Sequence, residues 1–159
     1  MRFDNPVESR YFLYERPENI TAICGRCTAK LSFIAEEIPT KVFDEESGGY
    51  RFQKGEIGGL IKGRGACTKC GLVVHSINWP ESAFFHVSVP EGVVWAWNED
   101  YLLPLRARIA GDKVSLRHFL MYDWNLARFI SRLPRFAVLK KNRSRILKGF
   151  NKITTGGQR

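Results

Sequence analysis

The chain has 159 residues, of which 44% are apolar, 26% charged and 13% aromatic. This is the make-up of a globular protein with enough apolar surface for a core, and it excludes wholesale disorder and collagen-like repeats. The 25 Lys+Arg against 16 Asp+Glu leave a net charge of +9, and an excess of that size directs attention to polyanionic partners.

The N-terminal MRFDNPVESR lacks the apolar core of a secretory signal. The longest apolar run, about five residues at Val93–Trp97, is far short of the ~20 a membrane span needs. An intracellular, cytoplasmic chain is therefore expected. Residues 10–15 and 20–24 read as short strands split by Pro17, and residues 29–37 as a third strand, alternating apolar and polar. The insert 38–66 opens on Pro39 and the acidic turn Asp44-Glu45-Glu46. It then becomes glycine-rich, with Gly48, Gly49, Gly55, Gly58, Gly59, Gly63 and Gly65, a density that predicts turns, bulges and a mobile hairpin. Gly58 and Gly63 have phosphate-loop spacing, but Arg64-Gly65 follows in place of Lys-Ser/Thr, so that match is rejected.

Leu72–Asn78, Ala83–Val89 and Gly92–Trp97 read as β-branched and aromatic strands, with turns at Trp79-Pro80 and Pro90-Glu91-Gly92. At Asn98 the pattern changes. Asn98 is a good N-cap, Glu99 and Asp100 suit a first helical turn, and Gly111 suits its end, although Pro104 is awkward inside it. A second helix is expected from Asp123 to Leu133, with Leu126, Phe129, Ile130 and Leu133 on one face, stopped by Pro134. A last helix fits 138–153, with Leu139, Ile146, Phe150 and Ile153 sharing a face and Leu147 at its margin. Gly149 interrupts its propensity, and the tail from Thr154 is expected to fray.

The four cysteines form two pairs, Cys24-Gly-Arg-Cys27 and Cys67-Thr-Lys-Cys70. Two residues between cysteines let a tight turn aim both sulfurs at one metal, and two such turns supply the four thiolates of a closed Zn2+ site. Gly25 and Gly71 are suited to positive φ in such turns. Arg26, Lys30, Arg64 and Lys69 would offset a site charge of roughly −2. Disulfides suit a secreted chain, and a thioredoxin-like pair needs a helix after CGRC, where Thr28–Glu36 alternates like a strand. His75 and His86 are the alternative ligands, read here as ordinary strand residues.

The pattern resembles the zinc-ribbon superfamily over about residues 20–90, with Cys67-x-x-Cys70-Gly71 in the usual knuckle form. The first knuckle carries Thr28 in place of that glycine, and the 39-residue gap between pairs exceeds the 15–20 of a compact ribbon. The resemblance implies two knuckles on adjacent β-hairpins around one structural ion. It implies no particular function. The expected fold is α+β: an expanded zinc-ribbon antiparallel β region at 1–97 followed by about three helices in a basic region at 98–159, the two able to share one core.

The charge is concentrated. Residues 1–127 hold all 16 acids and 15 of the bases, a balance of −1, while 128–159 hold the other ten bases and no acid. Arg128, Arg132, Lys140, Lys141, Arg143, Arg145, Lys148 and Lys152 are the candidate nucleic-acid contacts, neutralising phosphates with little sequence readout. Lys141, Arg145, Lys148 and Lys152 fall at i, i+4, i+7 and i+11 on the side of the last helix away from its apolar face. Arg26, Lys30, Lys62, Arg64 and Lys69 form a second basic cluster at the knuckles. Trp79, Trp95 and Trp97 are read first as core and second as base-stacking platforms. His75, His86 and His118 are dispersed, and no nucleophile–base pair, carboxylate pair or open metal site is apparent, so a non-catalytic protein is expected. The alternative is a protein-interaction module that docks through the apolar face of the last helix at Ile146 and Phe150. Binding of that basic amphipathic helix to a membrane surface is the least favoured reading.

Overall fold

The computed structural model describes residues 16–36, 40–53 and 59–156. The strand expected at 10–15 lies outside them. The fold is α+β, with antiparallel sheets in the N-terminal part and helices after them. β1 (Asn19–Ile23), β2 (Lys30–Ala35), β5 (Leu60–Ala66) and β6 (Val73–Asn78) form one antiparallel sheet in the order β1-β2-β5-β6. β3 (Thr40–Asp44) and β4 (Gly49–Gln53) form a separate hairpin between β2 and β5.

The alternation in β2 buries Leu31, Phe33 and Ala35 and exposes Lys30, Ser32 and Ile34, the signature of a sheet with one covered face. β5 corrects the expectation of turns across 38–66. It is a strand paired to both neighbours, with the expected bulge where its register against β6 shifts between Lys62 and Gly65, and its glycines are there for space. A Cβ on Gly63 would lie 2.1 Å from the Ile34 carbonyl oxygen and 2.8 Å from the Phe33 ring.

β7 (Phe85–Val89) and β8 (Gly92–Ala96) form a second hairpin, tied to β1 by backbone bonds from Thr21 N to the Trp97 carbonyl (2.8 Å) and from Phe84 N to the Thr21 carbonyl (3.2 Å). Every residue of β8 is buried. Trp79, Trp95 and Trp97 meet around it, with Trp79 stacked on Trp97 at 4.5 Å and Trp95 edge-on to both. All three are at most 3% exposed, so they pack the core and are not available to stack on bases.

Five helices follow: α1 (Glu99–Ala110), α2 (Lys113–Leu120), α3 (Trp124–Ser131), the single turn α4 (Arg135–Val138) and α5 (Lys140–Gly156). Asn98 caps α1 as expected, accepting from Tyr101 N at 3.2 Å, while its amide donates to the Asn19 carbonyl and ties α1 to β1. The helix continues through Pro104 and closes at Gly111, whose φ of 78° is left-handed.

Two helices were not expected. Asp112 caps α2 through Ser115 N, and α2 packs Leu116, Phe119 and Leu120 partly buried against the core. α4 is a single turn after Pro134. α5 begins two residues later than the expected 138 and stays helical through Thr154 and Thr155, whose hydroxyls donate to carbonyls one turn back. Gly149 is no interruption: it lets α5 press onto β7, where a Cβ would lie 2.6 Å from Val87. Ile146 and Phe150 are fully buried, and core residues of the sheets and of the helices form one buried cluster.

Candidate metal centre and basic groove

β2 and β5 are antiparallel neighbours, so the start of β2 and the end of β5 lie at the same end of the sheet. The β1–β2 turn carries Cys24 and Cys27, and the β5–β6 turn carries Cys67 and Cys70. The topology therefore superposes two pairs that are 39 residues apart in sequence.

The two turns are built alike. Cys24 N donates to the Ala29 carbonyl and Thr28 N to the Cys24 carbonyl, each at 2.9 Å; Cys67 N donates to the Leu72 carbonyl and Gly71 N to the Cys67 carbonyl, each at 2.9 Å. Gly71 has φ 73°, as expected, but in the first turn the left-handed residue is Thr28 at 61° and not Gly25. The Thr28 hydroxyl donates to the Cys27 carbonyl at 2.7 Å.

All four sulfurs lie within 4.8 Å of one another, with Cys24–Cys70 and Cys27–Cys67 at 3.5 Å. Tetrahedral thiolates at about 2.3 Å from one zinc stand about 3.8 Å apart, so the arrangement fits a single Zn2+. The cysteines are free thiols, and each turn sets both of its sulfurs 3.5 Å from a sulfur of the other turn. That is a four-sulfur cluster, with neither disulfide pairing nor the local pair of a thioredoxin-like site. His75 and His86 stand outside the cluster.

The electrostatics agree. Backbone N–H groups of Cys27 and then Arg26 donate to the Cys24 sulfur and bring its thiol down to about 6. Those of Cys70 and Lys69 lower Cys67 in the same way. At Cys27 the Ala29 N–H pulls the thiol down, but burial and the neighbouring sulfurs of Cys67, Cys70 and Cys24 push it up to about 11. Four thiolates so close repel one another, and a bound dication removes that obstacle.

Beside the first turn lies a groove of about 810 Å3. Its walls come from three places: Thr28 and Lys30 at the first turn, Thr68 and Lys69 at the second, and Lys152, Ile153 and Thr154 at the end of α5. Phe84 and His86 line it as well, and among the described residues no acidic side chain does. Lys30 is paired with Glu99 and lies over the rings of Phe84 and Phe85 at 5.7 and 5.3 Å.

The eight candidate phosphate contacts do not form one surface of equal standing. Lys140, Arg145, Lys148 and Lys152 are exposed, and the last three share one stripe of α5. Lys141 is exposed but ion-paired with Glu91 in the β7–β8 turn. Arg143 is half-buried beside Gly111, and Arg128 and Arg132 are half-buried and engaged within the protein. Sequence reasoning placed Lys30 and Lys69 in a separate knuckle cluster and left out Phe84 and His86 as groove residues. Only the packing of α5 on β7 brings Lys152 to them. Among the described residues, no helix is long and apolar enough to cross a membrane.

Comparison with protein-family models, with curated proteins and with solved structures finds no significant match, so the metal centre and the groove stand on their own geometry.

Proposed function

We propose that the chain is a non-catalytic, zinc-stabilised binding protein that holds nucleic acid through its basic C-terminal helical region. A four-thiolate ion is coordinatively closed, so in this reading it fixes structure and leaves no position for a substrate. The observation that carries the reading is the convergence of Lys152 and Lys69, with the Glu99-paired Lys30 beside them, on one groove that no acidic side chain lines among the described residues. Arg145 and Lys148 continue that charge along α5 as an exposed stripe. A continuous cationic track of this kind suits a phosphodiester backbone better than scattered charges do.

The test is titration of labelled duplex DNA, single-stranded DNA and RNA with the zinc-loaded protein at several salt concentrations. If about six basic residues meet phosphate, log K falls against log[salt] with a slope of about −5 on duplex DNA. The triple variant Arg145→Glu, Lys148→Glu, Lys152→Glu changes exposed side chains only and should lose binding across all sequences alike. Unchanged affinity would refute the reading.

A second reading, docking onto a protein partner, is favoured by a different surface from the one the sequence suggested. Ile146 and Phe150 are consumed by the protein's own core. Val114, Tyr122 and Trp124 on α2, the following turn and α3 are instead 84%, 88% and 73% exposed, with Met121 beside them. Exposed aromatic side chains such as Tyr122 and Trp124, close together in sequence, are typical of interaction sites. Loss of a co-purifying protein on Tyr122→Ser with Trp124→Ser, but not on Lys148→Glu, would support it.

A further inference from the structure

We infer that the groove between the two cysteine turns and the end of α5 seats a nucleoside phosphate presented by an unpaired strand, so that single-stranded nucleic acid is held in preference to duplex. This rests on the nucleic-acid reading above and specifies its substrate.

The groove's chemistry is mixed in a way that duplex contact does not require. A duplex buries its bases and offers an outer row of phosphates, for which an exposed cationic stripe suffices. Here the cations stand over apolar walls: Ile23, Phe84 and Ile153 line the same space as Lys69 and Lys152. Aromatic and aliphatic walls contribute only when a base ring is free to lie against them, and sequence-tolerant stacking of that kind is how unpaired strands are held.

The dimensions agree. About 810 Å3 falls within the range of cavities that enclose small organic ligands, and a base with its sugar and phosphate is of that class. The charges are placed at the rim. Lys69 is exposed on the second turn and Lys152 on α5, while Lys30 is held by Glu99 and lies over Phe84, which fixes that ring in the wall.

His86 adds a polar group with one nitrogen committed. Its Nδ1 lies 2.7 Å from the Ala83 carbonyl oxygen. The ring is thereby oriented, and Nε2 remains for the edge of a base. The threonines Thr28, Thr68 and Thr154 supply the further polar groups of the lining, and those of Thr28 and Thr154 already serve their own backbone.

The test uses the full zinc-loaded chain and fluorescence anisotropy. Probes are a labelled 12-nucleotide DNA strand, the RNA strand of the same sequence and the DNA duplex, with AMP and inorganic phosphate as competitors. The expected result is single-strand binding about tenfold or more tighter than duplex. His86→Ala and Phe84→Ala should each weaken strand binding at least about fivefold and weaken duplex binding by a smaller factor. AMP should displace the strand at concentrations where phosphate does not.

Phe84 is half-buried, so Lys152→Glu, a change at an exposed position of α5, serves as a second variant, and it should show the strand loss as well. Duplex bound as tightly as strand, with His86→Ala affecting neither, would overturn this inference and leave the nucleic-acid reading standing. AMP binding without strand binding would overturn it in favour of a free nucleotide. No binding of any nucleic acid at low salt would overturn both.

Discussion

Phe33 in β2 stands directly opposite Gly65 in β5, and its ring occupies the space that a side chain on Gly65 would need. A Cβ at Gly65 would lie 2.9 Å from that ring and 2.6 Å from the Leu31 side chain. Gly65→Ala should therefore overpack the sheet and lower stability by about 1–3 kcal/mol. Gly25→Ala, where no atom lies within 4 Å, should change it by less than about 0.5 kcal/mol. Urea unfolding of the two zinc-loaded variants checks the contrast.

The four sulfurs predict one zinc per chain. Cys67→Ser, or any of the other three changes, should abolish stoichiometric metal and lower the melting temperature, because the binding free energy of a structural zinc is also folding free energy. Elemental analysis together with thermal unfolding decides the point. A Cys67→Ser protein that retained both its zinc and its melting temperature would contradict the four-sulfur site. A chelator should act on the wild type as the mutation does.

Thr28 is the one non-glycine residue among those described with positive φ, in the turn position where its counterpart is Gly71. The left-handed conformation costs an ordinary residue roughly 1–2 kcal/mol, partly returned here by the hydroxyl bond to the Cys27 carbonyl. Thr28→Gly should raise stability by up to about 1 kcal/mol, and Thr28→Val, with a β-branch and no hydroxyl, should lower it. Thermal unfolding of the zinc-loaded proteins reads both signs.

Glu91 joins the β7–β8 turn to α5 through Lys141 and Asn142. The hydrogen bond from Lys141 is the main reason its carboxyl sits below the ordinary range, with the Glu91 backbone N–H and Asn142 adding to it. A depressed folded-state pKa means that the stabilisation is present above the unfolded value of about 4.3 and is lost as pH falls through the folded one. Wild type should therefore melt above Glu91→Gln at pH 7, and the difference should close below about pH 4. A difference independent of pH would show that packing, and not charge, links the turn to α5.

How much of this was legible in the sequence depended on how local the signal was. The Cys-x-x-Cys pairs named the four sulfurs that come together because the turn chemistry is confined to a few residues. Asn98 and Gly111 marked both ends of α1 because each cap is a local hydrogen-bond or dihedral requirement. Gly63 and Gly65 announced the bulge in β5 but not the strand around it, and Gly149 misled, since the close approach of Phe33, Ile34 and Val87 comes from elsewhere in the chain. α2 was missed although its signals were local: Asp112 is an N-cap and Leu116, Phe119 and Leu120 share a helical face. The groove was beyond reach: Lys30, Lys69, Phe84 and Lys152 come together only through the stacking of a hairpin and a helix. The basic stripe of α5 was visible as a spacing, yet the engagement of Arg128, Arg132 and Lys141 inside the protein was not.

The β3–β4 hairpin leaves the main sheet between two strands that are themselves direct neighbours. Removing it therefore breaks no pairing in that sheet: Glu36 N already donates to the Lys62 carbonyl across the gap. The hairpin is, in architectural terms, a graft on a closed frame, with Phe43 and Tyr50 packed edge to face at 5.3 Å on its exposed surface. A chain in which 37–58 is replaced by a short turn would retain both cysteine pairs in register. Conversely, the same position offers a place where a foreign segment could be carried without disturbing the metal or the groove.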